Sequence, residues 1–448
     1  MWYEIVYRIL SIINYIVLGI FAIGLIPPIF ELCVAIITKK KTFPKSEKKV
    51  KIAYIIPARN EEDVIGDAIK DLLENQDYPK DLISVYVVAN NCIDNTAEIS
   101  RNAGAVTLIL DDPDPNHHRA AYPLNYGIDY ILKNDVDAEL IIHLDADNHL
   151  NKEFSQLMND AYQQGYDFIR PYEGAINGPQ NFFTKACAFF YAFDSRFSSR
   201  ARERLHLSAQ VNGAGATMSR RMLLKCNGYD TTEISDDTAF MYNRLLEGVK
   251  AHFVEDAIVY EDLPSTAAVT ISRNKRIAKG NKEMFKTKYC KLIPTFFKTG
   301  NISLLETFFS RVFIYISPFI FSWLGVYFAF FIPFAICAHY EMMPLTMFNQ
   351  AFFTSHLWAL LWGVVALGIV GLFLIIAVSL TIVFFDYKKL GAKKRSEYAT
   401  FAIFSIVYLA FYGFSIAGAG NKKKKNEWVK VQRNVVKTEE KKDTDNNG

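Results

Sequence analysis

The sequence has few cysteines, and none of them forms a paired motif. Six cysteines are scattered over 448 residues, without a CxxC pair. This spacing predicts neither a structural zinc site nor a disulfide framework. It is typical of a catalytic domain that faces a reducing cytoplasm.

A strong charge bias is also missing. The 50 Lys and Arg residues nearly balance the 47 Asp and Glu residues, which leaves a formal net charge of +3. So small an excess gives no reason to expect a nucleic-acid partner. Apolar residues are plentiful instead, with 51% hydrophobic and 14% aromatic residues. Because the mean hydropathy is only +0.07, this apolar excess must be local, and we expect a soluble domain joined to membrane segments.

Four apolar runs are long enough to cross a bilayer, which takes roughly 20 residues. They cover residues 9–37, 308–336, 358–385 and 399–419. The first run lacks a basic N-terminal region and a clear small-residue cleavage site, so we interpret it as a membrane span and not as a secretion signal. A lysine block at 39–41 follows it, and positive residues beside a span stay in the cytoplasm. The next domain is therefore predicted to be cytoplasmic, with the N-terminus outside.

The same charge rule leaves the end of the chain open. The loop at 387–398 and the tail at 422–425 are both basic, yet they cannot both be cytoplasmic if residues 399–419 cross once. Either this last segment re-enters, or the tail breaks the rule. Residues 285–305 are amphipathic and contain lysines, which fits an interfacial helix or an ordinary linker. The resulting domain prediction is a membrane segment at 1–40, a cytoplasmic domain at 50–284, a linker at 285–305, spans within 306–420, and a basic, then disordered, tail at 421–448.

Between the membrane segments, strand and helix patterns alternate. Predicted strands cover residues 52–56, 83–89, 106–110 and 140–144, and predicted helices cover 61–75, 94–103 and 124–132. This order predicts an α/β domain with a mostly parallel sheet covered by helices. Ligands of such sheets bind beyond the carboxyl ends of the strands.

The strongest candidate site follows the fourth predicted strand. There an apolar run ends in Asp145 and Asp147, spaced by one residue. Magnesium and manganese prefer oxygen ligands and can bridge to substrate phosphates. A cation would offset the negative charge that builds on a departing nucleoside diphosphate. The same pair also fits a polar turn after a strand, but its place after the fourth strand of an α/β pattern favours a metal site.

Four further motifs each have two interpretations. The segments 57–62 and 90–96 follow the first two strands, and they fit either nucleotide contacts or caps of the next helices. Asp236 and Asp237 precede an apolar helical stretch, and they fit a helix cap or a general base for an acceptor hydroxyl. The basic stretch at 272–280 fits contacts to a diphosphate or to anionic lipid headgroups.

In their order and spacing, the five motifs over residues 51–280 resemble a family 2 glycosyltransferase of the cellulose synthase and hyaluronan synthase type. The resemblance implies a GT-A-type nucleotide-sugar-binding domain flanked by N- and C-terminal transmembrane helices. It also implies a nucleotide-sugar donor, with UDP expected, a divalent cation (Mg or Mn), and a saccharide or lipid-linked acceptor. The implied setting is a bacterial cell membrane, where the enzyme serves cell-surface polysaccharide synthesis beside other assembly proteins.

The resemblance also implies a role for each motif residue. Asp237, beside Asp236, takes the place of the catalytic base in an inverting transfer, and Asp147 with Asp145 takes the place of the metal ligands. The implied nucleotide-sugar-binding residues are Pro57, Arg59, Asn60, Glu61, Asn90, Asp94, Arg119, Asp145, Arg273 and Arg276. The implied acceptor loop consists of Asn212, Gly213, Ala214 and Gly215. Trp428 and Arg433 resemble a carboxy-terminal element that is cytoplasmic in polymer synthases.

Four positions depart from the family pattern. They are Arg273 for a glutamine, Ile277 for a tryptophan that stacks on the acceptor sugar, Asn90 for an aspartate, and Ala120 for a lysine near the diphosphate. These departures fit an enzyme that adds one or a few sugars better than a processive polysaccharide synthase. The alternative from another class is a catalytically inactive, nucleotide-binding membrane subunit, against which the retained aspartates argue.

Overall fold

The computed structural model describes residues 2–114, 119–339 and 350–399, together with 405 and 407. The strands of this part form one sheet: β1 (Lys51–Ala58), β2 (Ile83–Asn90), β3 (Val106–Leu110), β4 (Ala138–His143), β5 (His149–Leu150), β6 (Phe168–Ala175), β7 (Thr217–Ser219) and β8 (His252–Glu261). Their order is β3-β2-β1-β4-β7-β6-β8-β5. Only β7 and β5 run antiparallel to their neighbours, so the predicted mostly parallel sheet is confirmed.

The helices of the described residues precede, cover and follow this sheet. They are α1 (Trp2–Ile37), α2 (Ile65–Glu74), α3 (Thr96–Asn102), α4 (Ala121–Asn134), α5 (Phe154–Gln163), α6 (Phe182–Phe193), α7 (Arg200–Arg204), α8 (Arg220–Lys225), α9 (Asp236–Leu246), α10 (Ala267–Met284), α11 (Cys290–Thr299), α12 (Ile302–His339) and α13 (Gln350–Phe385). A 3-10 turn at Lys80–Leu82 precedes β2. Two π-helical segments, Asp194–Ser199 and Phe285–Tyr289, join α6 to α7 and α10 to α11.

The central strands are apolar on both faces, because helices cover both sides of the sheet. Successive side chains of a strand point to opposite faces, and in β1 Ile55 joins one hydrophobic core while Ile56 joins the other. Helix α4 packs on the first side through Leu124 and Ile128. Helix α2 packs on the second side through Ile69. Because both faces of the central strands are buried, their sequences are continuous apolar runs.

Three predicted helix starts were wrong. Helix α4 begins at Ala121 and not at residue 124. Helix α2 begins at Ile65 and not at residue 61, because Asn60 has the left-handed φ of 57° and the Glu61 amide donates to Thr96 Oγ1 at 2.8 Å. Helix α3 begins at Thr96 and not at residue 94. There the Asp94 carboxylate accepts from the Thr96 amide at 3.1 Å, so it lies just outside the helix.

Two of the described helices, over Ile5–Ile37 and Ser355–Phe385, are long and apolar enough to cross a membrane. Only 11% and 17% of the apolar 18-residue segments of these two helices are buried, so neither helix is buried as the core helix of a soluble domain would be. The predicted run at 308–336 lies within α12, where the described apolar stretch is the shorter Phe319–Pro333. The run at 399–419 lies almost wholly outside the described residues, as do the lysines at 422–425, Trp428 and Arg433.

The domain-facing ends of α1, α12 and α13 are fixed to the α/β domain by ion pairs. Just after α1, Lys41 Nζ lies 2.5 Å from Glu203 Oε1. Near the start of α12, Glu306 Oε1 lies 2.7 Å from the Arg202 guanidinium. Just after α13, the buried Asp386 carboxylate pairs with Arg196 through two hydrogen bonds. Helix α12 therefore leaves the domain and α13 returns to it.

Residues 386–398, which we name the docking loop, lie on the end of β6. The Ala175 amide donates to Lys389 O at 3.1 Å, and the Lys389 ammonium lies 4.1 Å from the ring centre of Tyr172. A Cβ at Gly174 would lie 2.6 Å from Lys389 O, so the close approach of the two backbones requires glycine. This basic loop is therefore on the same end of the helices as the catalytic domain.

The buried pair in this region gives a stability prediction. Asp386 is fully buried, and its partner Arg196 has only 11% of its side chain exposed. Removing one member of a buried pair leaves an uncompensated charge, which costs about 3–5 kcal/mol. We expect Asp386→Ala to lower the free energy of unfolding by that amount in detergent. The control is Asp256→Ala, whose pair with Lys40 is exposed and is worth at most about 1 kcal/mol; equal losses would contradict the assignment.

Candidate functional site

The candidate site lies at the carboxyl ends of three neighbouring strands. Strand β1 pairs in parallel with β2 on one side and with β4 on the other. The loops after these strands, at 59–62, 90–96 and 145–148, therefore meet at one edge of the sheet. This is the edge at which parallel α/β sheets bind ligands.

The first two loops are joined to each other by hydrogen bonds. Asn60 Oδ1 accepts from the Ile93 amide at 2.9 Å. Glu62 Oε2 accepts from the Asn95 amide at 3.1 Å. Several predicted donor-side groups, including Asn60, thus shape the loops themselves. A nucleotide contact for Pro57, Asn60, Glu61 and Asp94 stays a prediction.

Two buried polar groups in these loops lack partners in the described part of the chain. Asn90, the last residue of β2, is 1% exposed, and neither atom of its amide has a hydrogen-bond partner. Arg59 Nη1 is also buried without a partner. Because Ala58 pairs with Ala89, Arg59 lies beside Asn90 in the next position along the strands. Each unpartnered buried group costs about 1–3 kcal/mol, which makes both groups candidates for contact with a ligand.

Asp145 and Asp147 lie in a tight turn after β4. The Asp145 amide donates to Asn148 Oδ1 at 2.8 Å, and the Asn148 amide donates back to Asp145 O at 3.2 Å. The turn leaves the Asp145 carboxylate 58% exposed and Asp147 half-buried. The structure thus presents both carboxylates at the ligand edge.

The donor set of this turn fits a metal shared with substrate. Within residues 2–114, 119–339 and 350–399, no three His, Cys, Asp or Glu side chains converge as a ready-made metal site. Magnesium is commonly bound by one or two carboxylates that are completed by substrate phosphates and water. Two acidic side chains at the ligand edge of the sheet match the protein part of such a site, and metal binding here stays a prediction.

Asp236 and Asp237 form the first turn of α9. The Asp237 carboxylate accepts from the Thr238 amide at 2.6 Å, and Asp236 accepts from the Tyr229 hydroxyl at 3.1 Å. Burial, and then the charge of Asp237, raise the pKa of Asp236 to about 7. Burial also raises the pKa of Asp237, against the opposing positive charge of Arg276. This pair can therefore hold or release a proton near neutral pH.

The predicted acceptor loop touches Asp237. Gly213 has a φ of 100° and Gly215 a φ of 72°, which favour glycine. A Cβ at Gly213 would lie 3.2 Å from Asp237 Oδ2. Asn212 is exposed and donates to the Asp194 carboxylate at 3.1 Å, whereas Ala214 is buried. The loop and the candidate base thus form one surface.

The basic residues predicted to contact the donor have different surroundings. Helix α10 packs against Ser235 at Gly280, which brings its exposed Arg276 near Asp237. Arg273 instead donates to Cys187 Sγ at 2.9 Å and to the Tyr191 hydroxyl. Arg119 donates to Thr232 O at 2.7 Å. In this structure Arg276 is near Asp237, while Arg273 and Arg119 make protein contacts.

Sequence reasoning missed an ionisable cluster below the acceptor loop. Arg170 of β6 lies 2.6 Å from the Asp194 carboxylate and 3.1 Å from that of Glu173. Burial and the charge of Glu173 raise the pKa of Glu261 to about 8. The available signal was the presence of Arg170 and Glu173 in an otherwise apolar segment. Burial also lowers the pKa of His143, which was not among the predicted residues either.

Known proteins resemble the chain in both sequence and fold. The family model described as "Glycosyl transferase family group 2" matches residues 140–415, more than half of the chain. "Probable glycosyltransferase YdaM" of Bacillus subtilis is 24% identical over 277 residues, which cover 57% of this chain and 64% of that protein. The 4,4'-diaponeurosporenoate glycosyltransferase of Staphylococcus aureus is 30% identical over 140 residues, 30% of this chain and 34% of that protein. The matches span less than two thirds of either relative's length.

Among solved structures, a mannosyltransferase from Pyrobaculum calidifontis, in complex with GDP-Man and Mn2+, has a TM-score of 0.52 at 15% identity. The match covers 79% of this chain and 97% of that one. At this identity the likeness bears on the fold, and the predicted GT-A-type α/β architecture is confirmed. The narrower likeness to cellulose and hyaluronan synthases stays a prediction. From its match to the family model, the chain belongs to glycosyl transferase family group 2.

Proposed function

We propose that the protein is a membrane-bound inverting glycosyltransferase that moves a sugar from a nucleotide sugar to a hydroxyl of a saccharide or lipid-linked acceptor. The observation that supports this most is the arrangement at one sheet edge. The carboxylates of Asp145 and Asp147 lie at the donor loops, and the carboxylate of Asp237, with its raised pKa, lies against the acceptor loop.

The donor base is proposed to be uracil. The buried Asn90 amide can pair through one of its two N–H donors and its carbonyl oxygen, and Arg59, in the next position of the neighbouring strand, has a further buried donor in Nη1. The edge of uracil presents a carbonyl, an N–H and a second carbonyl, which matches a donor, an acceptor and a donor. Guanine presents a carbonyl followed by two N–H groups, and it would leave a donor unpaired. The mannosyltransferase of similar fold was solved with GDP-Man, so guanosine is the alternative to test.

This pattern predicts a preference that binding can measure. We expect UDP to bind at least about tenfold more tightly than GDP. Guanine would leave one buried protein donor without a hydrogen bond, which costs about 1.5 kcal/mol or more. Asn90→Ala should remove most of this preference. Asn75→Ala is the control, since Asn75 is exposed and its amide bonds only to Asp71. Equal binding of UDP and GDP by the wild type would contradict the uridine proposal.

The diphosphate is proposed to lie between the Asp145–Asp147 turn and Arg276. The two carboxylates would hold Mg or Mn together with the phosphates, and the bound ion would offset the charge that develops on the leaving group. Arg276 is exposed on α10 and would add a positive charge on the other side. Arg273 and Arg119 would reach the donor only if they left their present protein contacts.

Asp237 is proposed to act as the general base. The acceptor oxygen attacks the anomeric carbon, and its proton passes to the Asp237 carboxylate. The bond from that carbon to the diphosphate breaks, and the nucleoside diphosphate leaves with the electron pair. The position of Gly213, with no side chain beside Asp237 Oδ2, leaves room for the acceptor hydroxyl. One displacement inverts the anomeric configuration.

The catalytic domain is proposed to face the cytoplasm. Helices α1 and α13 expose most of their apolar windows, which suits contact with lipid. The lysines after α1 and the basic docking loop after α13 lie at the domain end of these helices, and such residues stay on the cytoplasmic side. Helix α11, with exposed Phe297 and Lys298, would lie in the interface. The domain bounds at 1–40, 50–284, 285–305, 306–420 and 421–448 are part of this proposal.

A donor panel tests the proposed function. Purified protein is incubated with uridine, guanosine and thymidine diphosphate sugars, manganese or magnesium, and membrane lipids or oligosaccharides as acceptors. We expect release of nucleoside diphosphate from a uridine donor, together with an acceptor that carries one or a few sugars. Donor binding without turnover across the panel would instead favour an inactive nucleotide-binding subunit. Long products would favour a processive synthase.

A further inference from the structure

A small cavity lies beneath the start of α9, next to the candidate base. Its polar walls are His143, Asp237 and Tyr229, and its apolar walls include Phe168, Met218 and Phe240. The Tyr229 hydroxyl is already used in a hydrogen bond to Asp236. The polar groups left to meet across the cavity are therefore the His143 imidazole and the Asp237 carboxylate.

His143 is fixed at a junction of the site. It is the last residue of β4, two positions before Asp145. Its amide donates to Ala216 O at 3.0 Å, and its carbonyl accepts from the Gly215 amide at 2.8 Å. The backbone of His143 thus joins β4 to the acceptor loop, and its side chain cannot move far from Asp237.

One nitrogen of the buried imidazole lacks a partner within the described residues. His143 is 6% exposed, and its Nε2 has no hydrogen-bond partner within the described residues. The carboxylate atom Asp145 Oδ1 lies 4.0 Å from His143 Nε2, which is beyond hydrogen-bond range. In a strand whose other inner residues are aliphatic, a buried nitrogen without a partner costs about 1–3 kcal/mol, so packing alone gives no reason for a histidine here.

The Asp237 carboxylate can accept a further hydrogen bond from this side. One of its oxygens accepts from the Thr238 amide at 2.6 Å, and the other lies beside Gly213. A hydrogen bond from the cavity side would help to hold the carboxylate toward the acceptor loop. A neutral imidazole with its proton on Nε2 can supply it through one water in the cavity.

We propose that His143 is a positioning residue for Asp237, holding the carboxylate toward the acceptor hydroxyl across this cavity. The inference rests on the proposed function, in which Asp237 is the base. It requires no change in the charge of His143. Loss of the imidazole would lower the fraction of enzyme in the productive orientation and would leave donor binding intact, so the effect falls on kcat and not on the KM for the donor.

Two variants test this role. His143→Leu removes the donor and keeps a similar volume, and His143→Gln keeps an N–H donor. We expect His143→Leu to lower kcat by about 10–100-fold, with the donor KM and the half-saturating manganese concentration within about twofold of wild type. His143→Gln should restore kcat to within about threefold. Wild type and Asp237→Asn are measured alongside.

The outcomes separate the two proposals. If wild type does not transfer sugar, or Asp237→Asn transfers it equally well, the proposed function fails. Two outcomes would overturn the positioning role while leaving the proposed function in place, provided that wild type and Asp237→Asn behave as expected. In the first, His143→Leu keeps the wild-type kcat. In the second, His143→Leu and His143→Gln lose activity equally. A change in manganese requirement instead of kcat would place the effect on Asp145 and would also overturn it. If the leucine variant does not fold, the kcat of His143→Gln decides by the same threefold limit.

Discussion

Asp237→Asn is expected to lower the rate of sugar transfer by about 10²–10⁴-fold, the usual contribution of a positioned general base. Asparagine keeps the size of the side chain and can still accept from the Thr238 amide, but it cannot take a proton from the acceptor. Donor binding should stay unchanged, because the donor loops lie on β1, β2 and β4. The measurement is kcat under saturating donor, with donor affinity determined separately.

Asp236→Asn is the matched control for this prediction. Asp236 is the adjacent acid in the same helix turn, and its carboxylate already accepts from the Tyr229 hydroxyl. We expect a loss of less than about tenfold, since this residue contributes charge and packing and does not itself take the proton. Full activity of Asp237→Asn, or a larger loss for Asp236→Asn, would contradict the role given to Asp237.

The same pair predicts a pH dependence. Burial raises the pKa of Asp237, and burial together with the Asp237 charge raises the pKa of Asp236 to about 7. A base works only when it is deprotonated, so kcat should rise with pH through the apparent pKa of the pair and reach a plateau above it. The midpoint of this rise in kcat should lie well above the ordinary aspartate pKa of about 3.9. Asp236→Asn should move the midpoint to lower pH, because a neighbouring negative charge is lost. An unchanged midpoint would contradict the charge interaction between Asp236 and Asp237.

Asp147→Ala is expected to reduce transfer by at least about 10²-fold, because charge stabilisation at a leaving diphosphate is worth several kcal/mol. Chelation of divalent ions should have the same effect on wild type, and added manganese should restore wild type but not the variant. Asp81→Ala is the control, since Asp81 is exposed in the turn before β2, at the opposite edge of the sheet. Full wild-type activity after chelation would contradict the proposal that a divalent ion takes part in the reaction.

Much of the fold was predictable because its signals are local. The strands β2 and β3 are short apolar runs between polar segments, and their observed bounds agree with the predicted ones to within a residue. The loops after β1, β2 and β4 were predicted as candidate ligand loops, because ligands of parallel sheets bind beyond the carboxyl ends of the strands, and the structure brings these loops together. Their meeting places Arg59, Asn90 and Asp145 together.

What escaped prediction depends on contacts between distant segments. The start of α2 is set by a bond from Glu61 to Thr96, which spacing alone does not reveal. Strand β6 carries Arg170 and Glu173 within its apolar run, and their burial makes sense only with Asp194 beside them. The sequence does not show that His143 of β4 and Asp237 of α9 line the same cavity.

The role of Asp237 as the base of an inverting transfer can be tested by the configuration and amount of the product. Purified wild type and Asp237→Asn are given a uridine diphosphate sugar labelled in the sugar, manganese and acceptor, and the labelled product is analysed by NMR. We expect wild type to release one UDP for each sugar transferred and to form a product of inverted anomeric configuration, while the variant binds donor and forms almost no product. A retained configuration, or equal product from the two proteins, would contradict it.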